Sequence, residues 1–571
     1  MSKQKKSGNT AKAVQEAQSV KNALAGTESA RINQRFGHIT STLMTIYVLF
    51  YLCVFPLATH DKYFDILQFR FQLYWIPTLI YGILFLALGS LYLFSDKRRN
   101  GGALTAKLKE NLKWSVLKTK LTKIDICFIA LIFIMTLSVI FADYQYEALW
   151  GSRGRFNGLV LWLMFFIAYW LVTRFYYFKK WHLYAYLIAA CLPEIWGMTD
   201  FFLLDLFGFH KNTSPEYIYT FVSSVGNINT YTNMVALHLG VSVAMFVLSK
   251  NRIETLVSGI ALLSASFAIV MGNSDNGLLA AATIFAFLPF VGWSSRRNIS
   301  RFFIALSTFV TTSVITAHLT AGRPTMIDND GGSILIKSGK AKAFLVLVAL
   351  LWIFTVIIYL KLYMKKRGHE NQEVRNARKI WILLVIAGIA GVLFVLVDAN
   401  MGNHPKIWKP YQSVLVFNDA WGNGRGIIWR FAWEFFTQKS SILDKLIGNG
   451  PDTFFIITMD YFKKAMKAGG TIFDSVHNEY LEYLVTIGIL GTIAYVSTLA
   501  ASLWQMVVDA TNEYTIACGI AVLAYAVQAV VNIAIPITMP ILMMLLYVGI
   551  SIAKESANGK REIEKNGKVK L

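Results

Sequence analysis

The sequence predicts an all-α protein whose helices span a membrane many times. Of its 571 residues, 55% are hydrophobic and 15% are charged, whereas a soluble domain carries about 25% charged residues. Mean hydropathy is +0.48. Apolar runs of roughly 20 residues, the length that a transmembrane helix needs, recur along the chain. These observations exclude a large soluble enzyme and a disordered or fibrous chain.

The apolar runs predict a polytopic bundle of about 14 spans. They lie at residues 39–57, 72–94, 124–141, 158–173, 182–203, 231–248, 255–271, 277–293, 302–319, 342–364, 380–398, 481–506, 515–533 and 537–553. All four cysteines lie inside these runs without paired spacing. We therefore expect neither a disulfide framework nor a zinc site.

The distribution of Lys and Arg predicts the orientation, because loops on the cytoplasmic side of a membrane retain positive charge. The segments that the span order assigns to the inside carry 37 of the 55 Lys and Arg residues. Half of the other 18 lie in one segment, 399–480, and long translocated segments are largely exempt from the rule. Both termini are predicted to be cytoplasmic. The net charge of +22 then reflects topology, and we expect no nucleic-acid partner.

The predicted organisation follows from these assignments. A basic cytoplasmic tail at 1–38 precedes spans 1–11 at 39–398, and a large exoplasmic loop at 399–480 is followed by spans 12–14 at 481–553 and a basic cytoplasmic tail at 554–571. The loop is much longer than usual connections, and long loops on a rigid scaffold often carry functional groups. We expect the active site there.

Within this loop, residues 421–430 (Trp-Gly-Asn-Gly-Arg-Gly-Ile-Ile-Trp-Arg) predict the start of a helix that runs to about Phe436. Trp429, Trp433 and Phe436 share one face of that helix, which we expect in the bilayer interface. Arg425 lies between two glycines, so its guanidinium is accessible and suits bidentate phosphate binding. An anchor for lipid phosphates is the alternative interpretation.

The segment Asp-Ser-Val-His-Asn-Glu at 474–479 leads into the twelfth predicted span. Ser475 is a plausible N-cap, which places His477 in the first turn, where the helix dipole favours a neutral imidazole. His477 is a candidate general base. A hydrogen-bonded structural histidine is the alternative, and Asp474 and Glu479 are rival bases.

Other polar segments are predicted on the same outer side of the membrane. They are the Gly- and Asn-rich stretches 151–158, 226–229 and 271–277. Gly and Asn are also the residues that ordinary turns prefer, but the common sidedness of these stretches with Arg425 and His477 favours a functional surface that faces outward. In the long loop, Gly450 and Pro451 of Gly448–Pro451 fit the start of a helix, whose free amides attract anions, although an ordinary turn is the favoured interpretation there.

In this order, the pieces resemble the O-antigen ligase and O-antigen polymerase family of membrane glycosyltransferases, over about Trp150 to Leu545. The most specific parts are Arg425 to Trp429, Gly448 to Pro451, and His477-Asn478 with Leu481 and Gly488 behind them; 154–158 and 226–229 look like earlier family motifs. The resemblance implies a fold similar to the GT-C-type membrane glycosyltransferases. It also implies location in the bacterial cytoplasmic membrane with an exoplasmic active site.

The resemblance further implies transfer of a glycan from an undecaprenyl-diphosphate carrier to a glycan, lipid or protein acceptor, with inversion and with no metal or other cofactor. His477 and Arg425 would be catalytic. The implied substrate-binding residues are Arg153, Arg155, Asn227, Asn229, Arg430, Asn478 and Glu479. One departure is Ser274-Asp275, where family members commonly have Ser-Arg. Either Asp275 is not the equivalent residue, or Arg323 or Arg153 substitutes for the arginine, or the donor is a different one.

Two questions stay open at the level of sequence. Ligase, polymerase and protein-glycosylating activities differ in the acceptor, which no motif identifies. A transporter or flippase for lipid-linked oligosaccharide is the alternative from another class, with Glu194 and Asp200 as its intramembrane ionisable residues. No internal repeat supports that alternative.

Overall fold

A computed structural model describes residues 28–152, 154–327, 332–364, 370–467, 474–510 and 512–568. Within these ranges, eleven helices are long and apolar enough to cross a membrane. They are Glu28–Leu57, Ile66–Arg99, Lys123–Phe141, Ile228–Leu248, Arg252–Met271, Arg296–Leu319, Lys342–Lys361, Gln372–Asn400, Gly488–Val508, Glu513–Val531 and Met539–Ala557. The predicted class, a multi-pass helical membrane protein, agrees with this architecture.

Three further helices coincide with predicted spans. Leu159–Phe175 and Asn276–Gly292 are apolar but shorter, and Lys180–Phe201 contains Pro193, Glu194 and Asp200. Every predicted apolar run therefore falls on a helix. The count of about 14 spans and the similarity to GT-C-type enzymes stay predictions.

The remaining elements are short. Before residue 399 they are the helices Ala103–Leu112, Trp114–Lys120, Gln145–Trp150, Pro215–Ile218 and Ile334–Lys340, and the paired strands Phe221–Val222 and Gly226–Asn227. From residue 399 onward they are Pro405–Trp408, Gln412–Leu415, Trp421–Glu434, Ile442–Ile447, Phe454–Ile457, Met459–Lys467 and Glu479–Thr486. The two strands form one antiparallel hairpin that leads directly into Ile228–Leu248.

The centre of the bundle is the helix Ile228–Leu248, which is buried over 94% of its most apolar window. It packs against Glu513–Gln528 and Arg252–Met271. A Cβ added to Gly240 would lie 2.6 Å from Ala521 Cα, so small residues let the two backbones approach closely, as in other membrane bundles.

Helices at the periphery have the opposite character. In the most apolar 18-residue stretch of Gln372–Asn400, no residue is buried inside the protein. In the corresponding stretches of Lys342–Lys361 and Ile66–Arg99, 11% of the residues are buried. Exposed apolar surface on this scale is unfavourable in water, whereas hydrocarbon chains solvate it without cost. These helices therefore present their side chains to lipid.

The predicted long loop folds as a series of short helices with its own apolar cluster. Ile428, Phe436, Phe454, Val476 and Val485 are among its buried members. The cluster joins the helix Trp421–Glu434 to the segment around Val476 and to the start of the following span. Two predicted functional segments are thus held on one small core.

Candidate functional site

The helix that carries Arg425 begins with a distorted turn. Gly422, Asn423 and Gly424 all have left-handed backbone angles, so regular helix starts at Arg425, within the segment that was predicted to open the helix. A Cβ on Gly426 would lie 1.8 Å from the Asn418 carbonyl oxygen, which means that only glycine fits there. The turn therefore packs tightly against Asn418, and this contact fixes the backbone position from which the Arg425 side chain extends.

The Arg425 side chain is largely enclosed. Its Nη1 donates to the Gly422 carbonyl at 3.0 Å, and its buried Nε has no hydrogen-bond partner among the described residues. Burial lowers the pKa of Arg425 from its ordinary value, yet arginine remains charged at neutral pH. A buried cation with an unused donor favours an anion.

Trp429 connects this helix to the histidine segment. Its indole Nε1 donates to the Val476 carbonyl at 3.1 Å, and Phe436 is buried in the apolar cluster, whereas Trp433 is 53% exposed. The predicted common face of these three aromatic residues toward the bilayer interface is therefore wrong. Trp429 and Phe436 instead pack against the apolar cluster and stabilise the site from within the protein.

His477 lies just before a helix and not in its first turn. The helix begins at Glu479, and its N-cap is Asn478, whose side-chain oxygen accepts from the Tyr480 and Leu481 N–H groups at 3.1 Å each. The prediction that Ser475 is the N-cap is wrong. Asn is as good a cap as Ser, and here it is the residue that immediately precedes the helical geometry.

The surroundings of His477 favour the neutral imidazole. Burial lowers the pKa of His477 to about 4, with help from the positive charges of Arg425 and Arg155 and against the effect of Asp474. The imidazole of His477 is therefore neutral at pH 7, as predicted, but burial and two arginines are the causes found here. Its role as a general base stays a prediction.

Arg155 reaches the site from the loop between two earlier helices. It forms an ion pair with Asp474, three residues before His477, and the positive charge of Arg155 lowers the pKa of Asp474 below its ordinary value although burial opposes it. Arg155, Arg425 and His477 come from three segments that are far apart in sequence. Arg153, the other predicted arginine of this loop, lies outside the described residues.

Asp452 anchors the loop that carries Arg155, although it was not predicted as a site residue. Its Oδ2 accepts from the Ser152 and Asn157 N–H groups at 3.1 Å each, and the Ser152 hydroxyl donates to its carbonyl oxygen. Burial raises the pKa of Asp452 to about 7. The signal available in the sequence was a carboxylate directly after the Gly-Asn-Gly-Pro turn.

The Gly448–Pro451 element is a turn and not a helix start. The helix Ile442–Ile447 ends at Gly448, and the next helix begins only at Phe454. Asn449 Nδ2 donates to the Val485 carbonyl at 3.1 Å, and the Gly450 N–H donates to the Ser138 hydroxyl at 2.9 Å. The turn therefore fastens the long segment to two helices of the bundle.

Three other predicted site residues have local partners. Arg430 is 45% exposed in its side chain and pairs with Asp419 at 2.7 Å and Glu434 at 3.2 Å. Glu479 is buried and accepts from the hydroxyls of Tyr495 and Tyr525, while Asn478 is the helix cap. These contacts account for all three residues without a substrate.

Asn227 and Asn229 form a second polar cluster. The Asn227 side chain accepts from the Asn229 N–H at 2.9 Å, and Asn229 Oδ1 accepts from the Ser274 hydroxyl at 2.6 Å. Asp275 accepts from the Ile334 N–H at 2.8 Å, so this acidic residue binds the first residue of the helix Ile334–Lys340. This cluster stabilises the junction of three helices.

The transporter alternative depended partly on Glu194. Its carboxylate contacts His238 Nδ1 at 2.6 Å and accepts from the Ser264 hydroxyl at 2.6 Å. The cavity beside this pair measures about 10 Å³, which is room for about one water molecule. The pair is thus satisfied and enclosed, and no observation at Glu194 favours transport.

The fold and the site together define a multi-pass helical membrane protein in which a histidine and two arginines converge at the end of the bundle. Comparison of the sequence with protein-family models and with curated proteins gives no match. The resemblance to O-antigen ligases and polymerases therefore stays a prediction.

Proposed function

We propose that this protein is a membrane glycosyltransferase of the O-antigen ligase and polymerase type, which moves a glycan from a polyprenyl-diphosphate carrier to an acceptor hydroxyl. The observation that carries the proposal is the convergence of His477, kept neutral by its surroundings, with Arg425 and Arg155. Such a set combines a base with two cations, and transfer from a diphosphate-linked donor needs both.

In the proposed reaction, the acceptor oxygen forms a bond to the anomeric carbon while the bond from that carbon to the carrier phosphate breaks. The carrier diphosphate leaves with the electron pair, and His477 takes the proton of the acceptor hydroxyl. Arg425 stabilises the negative charge that develops on the leaving group. A bound diphosphate would also raise the pKa of His477 toward its ordinary value, because it offsets the charge of the two arginines.

Arg155 has a conditional role in this scheme. Asp474 already occupies part of its guanidinium, and an incoming phosphate would compete with that carboxylate for the same N–H groups. The five donors of an arginine allow both anions to be held on different edges. Arg155 would therefore bind the donor while its loop stays fixed by Asp452.

The proposed location is the bacterial cytoplasmic membrane, with both termini cytoplasmic and the site at the outer surface. The concentration of Lys and Arg in alternate loops supports this orientation. Membrane lipids surround the bundle, and the second substrate is a glycan, lipid or protein that supplies the hydroxyl. The sugar, the linkage and the choice among ligase, polymerase and protein glycosylation are left to experiment.

The test is glycan analysis in a deletion strain complemented with wild type, His477→Ala, Arg425→Ala or Arg430→Ala. Arg430 is the matched control, because it lies in the same helix but pairs with carboxylates at the surface. We expect the first two variants to lose transfer at normal protein level and Arg430→Ala to retain it. Carrier-linked and finally attached polysaccharide are separated on gels.

The accumulating product identifies the reaction. Single carrier-linked repeats in His477→Ala would indicate a polymerase, and long unattached chains would indicate a ligase. Wild-type glycan from both His477→Ala and Arg425→Ala would refute the catalytic assignment. Accumulation of carrier-linked material on the cytoplasmic side would instead favour the flippase alternative.

A further inference from the structure

A second cluster of ionisable side chains lies apart from the candidate active site. Asp200, Asp205 and His210 each place one potential ligand atom within 4.8 Å of the other two. Asp200 is at the end of the helix Lys180–Phe201, and the other two lie in the connection to the strand Phe221–Val222. None of the three has a place in the proposed transfer reaction.

The hydrogen bonds of His210 determine which ring nitrogen carries a proton. Nε2 lies 2.8 Å from the Phe221 carbonyl oxygen, and because a carbonyl can only accept, Nε2 must donate. In the neutral imidazole, Nδ1 then presents a lone pair. Nδ1 lies 3.5 Å from Asp205 Oδ1, so a lone pair faces a carboxylate oxygen.

Asp200 supplies an independent observation. Its side chain is completely buried, and one carboxylate oxygen accepts from the Ser223 N–H at 2.7 Å. The other oxygen, Oδ1, has no hydrogen-bond partner among the described residues. An unpartnered buried carboxylate oxygen is costly, and it belongs to a carboxylate that already lies against Asp205 and His210.

We propose that Asp200, Asp205 and His210 bind one divalent transition-metal ion, and that this ion is Zn²⁺. Two carboxylates and one imidazole are ligands that zinc accepts, whereas calcium and magnesium prefer oxygen alone. A cation between the three groups would take one carboxylate oxygen each from Asp200 and Asp205 and the Nδ1 lone pair of His210. The Phe221 carbonyl then acts as the second-layer acceptor that metal-bound histidines commonly have.

The ion would have a structural role. Asp200 holds Ser223 and His210 holds Phe221, and both partners belong to the hairpin region that leads to Asn227. A metal would therefore fix the connection at 202–220 onto this hairpin. This site is independent of the proposed glycan transfer, which uses other residues.

The test is metal content of the full-length protein in detergent, prepared without a histidine tag. The protein is stripped with EDTA, dialysed against Zn²⁺, freed of unbound ion and analysed by plasma mass spectrometry. We expect about one zinc per wild-type chain and a large loss of zinc in Asp200→Asn and His210→Ala. His60→Ala is the matched control. His60 also contacts a carboxylate, Asp65, at 2.8 Å, but among the described residues this pair belongs to no cluster of three ligands. The variant should therefore retain the zinc.

Thermal unfolding gives a second measurement on the same samples. Zn²⁺ should raise the Tm of wild type and of His60→Ala but not that of His210→Ala, since an ion that binds only the folded state stabilises it. Wild-type protein that retains no zinc would overturn the proposal. Equal zinc loss in His60→Ala and His210→Ala would overturn it as well. The wild-type measurement alone can refute the proposed site, so the test does not depend on whether the variants fold.

Discussion

Replacement of Gly448 by alanine should be among the most damaging small changes in the long segment. Gly448 ends the helix Ile442–Ile447 with a φ of +83°, and Gly488 begins the next span with a φ of +70°. A Cβ on Gly448 would lie 2.2 Å from the Thr486 carbonyl oxygen. The two glycines thus mark a place where backbone touches backbone.

The expected cost has two parts that the structure separates. Gly448 combines its positive φ with a ψ of −175°, a conformation essentially restricted to glycine, which costs another residue roughly 1–3 kcal/mol. Insertion of a methyl group where the nearest backbone oxygen cannot move aside costs about another 1–3 kcal/mol. Gly448→Ala should therefore lower the free energy of unfolding by roughly 2–6 kcal/mol.

Gly402→Ala is the control for the cost of a positive φ. Gly402 has a φ of +74°, but a Cβ added there meets no atom within 4 Å. Thermal unfolding of both variants in detergent, followed by tryptophan fluorescence, should show a clearly larger loss of Tm for Gly448→Ala. Equal losses would refute the close approach and leave backbone strain as the whole effect.

Three further predictions concern the site. Burial raises the pKa of Asp452 to about 7, so the stability contributed by its protonated form is complete below pH 4 and is lost as pH rises through 7; the Tm of wild type should fall between pH 5 and 8 more than that of Asp452→Asn. Trp429→Phe removes the hydrogen bond to Val476 but keeps an aromatic ring, and should cost about 1 kcal/mol in denaturant titrations. Arg430→Ala removes ion pairs at the surface and a cation–π contact with Phe431, and should cost at most about 2 kcal/mol; a drop of several degrees in its Tm would contradict the surface assignment.

The bundle was largely predictable because hydrophobic length is a local property. Each predicted run falls on a helix, even 182–203, where Pro193 lies within the helix Lys180–Phe201. The boundaries were less accurate. The twelfth predicted span begins at 481, but the structure breaks the helix at Ile487 and restarts it at Gly488, because the contact with Gly448 requires a positive φ there.

The candidate site was predictable in its residue types and not in its contacts. Arg425 and His477 were predicted from local sequence, and in the structure His477 feels the positive charge of both Arg425 and Arg155. The Ser475 cap and the common aromatic face failed because each depended on the path of the chain beyond the local segment. Ser475 and Val476 are both buried, and the helix begins only at Glu479, behind the Asn478 cap.

The carboxylates around Arg155 explain why burial matters for an anion site. Asp474 and Asp452 both influence this arginine, and if both were fully ionised they would cancel its charge and repel a phosphate. The ion pair with Arg155 keeps Asp474 ionised, whereas desolvation keeps much of Asp452 protonated near pH 7. Of these two carboxylates, only Asp474 therefore carries a full negative charge beside Arg155, and among the described residues Arg425 has no ion pair to a carboxylate. The same residue that fixes the loop mechanically thus avoids a second negative charge beside the proposed diphosphate position.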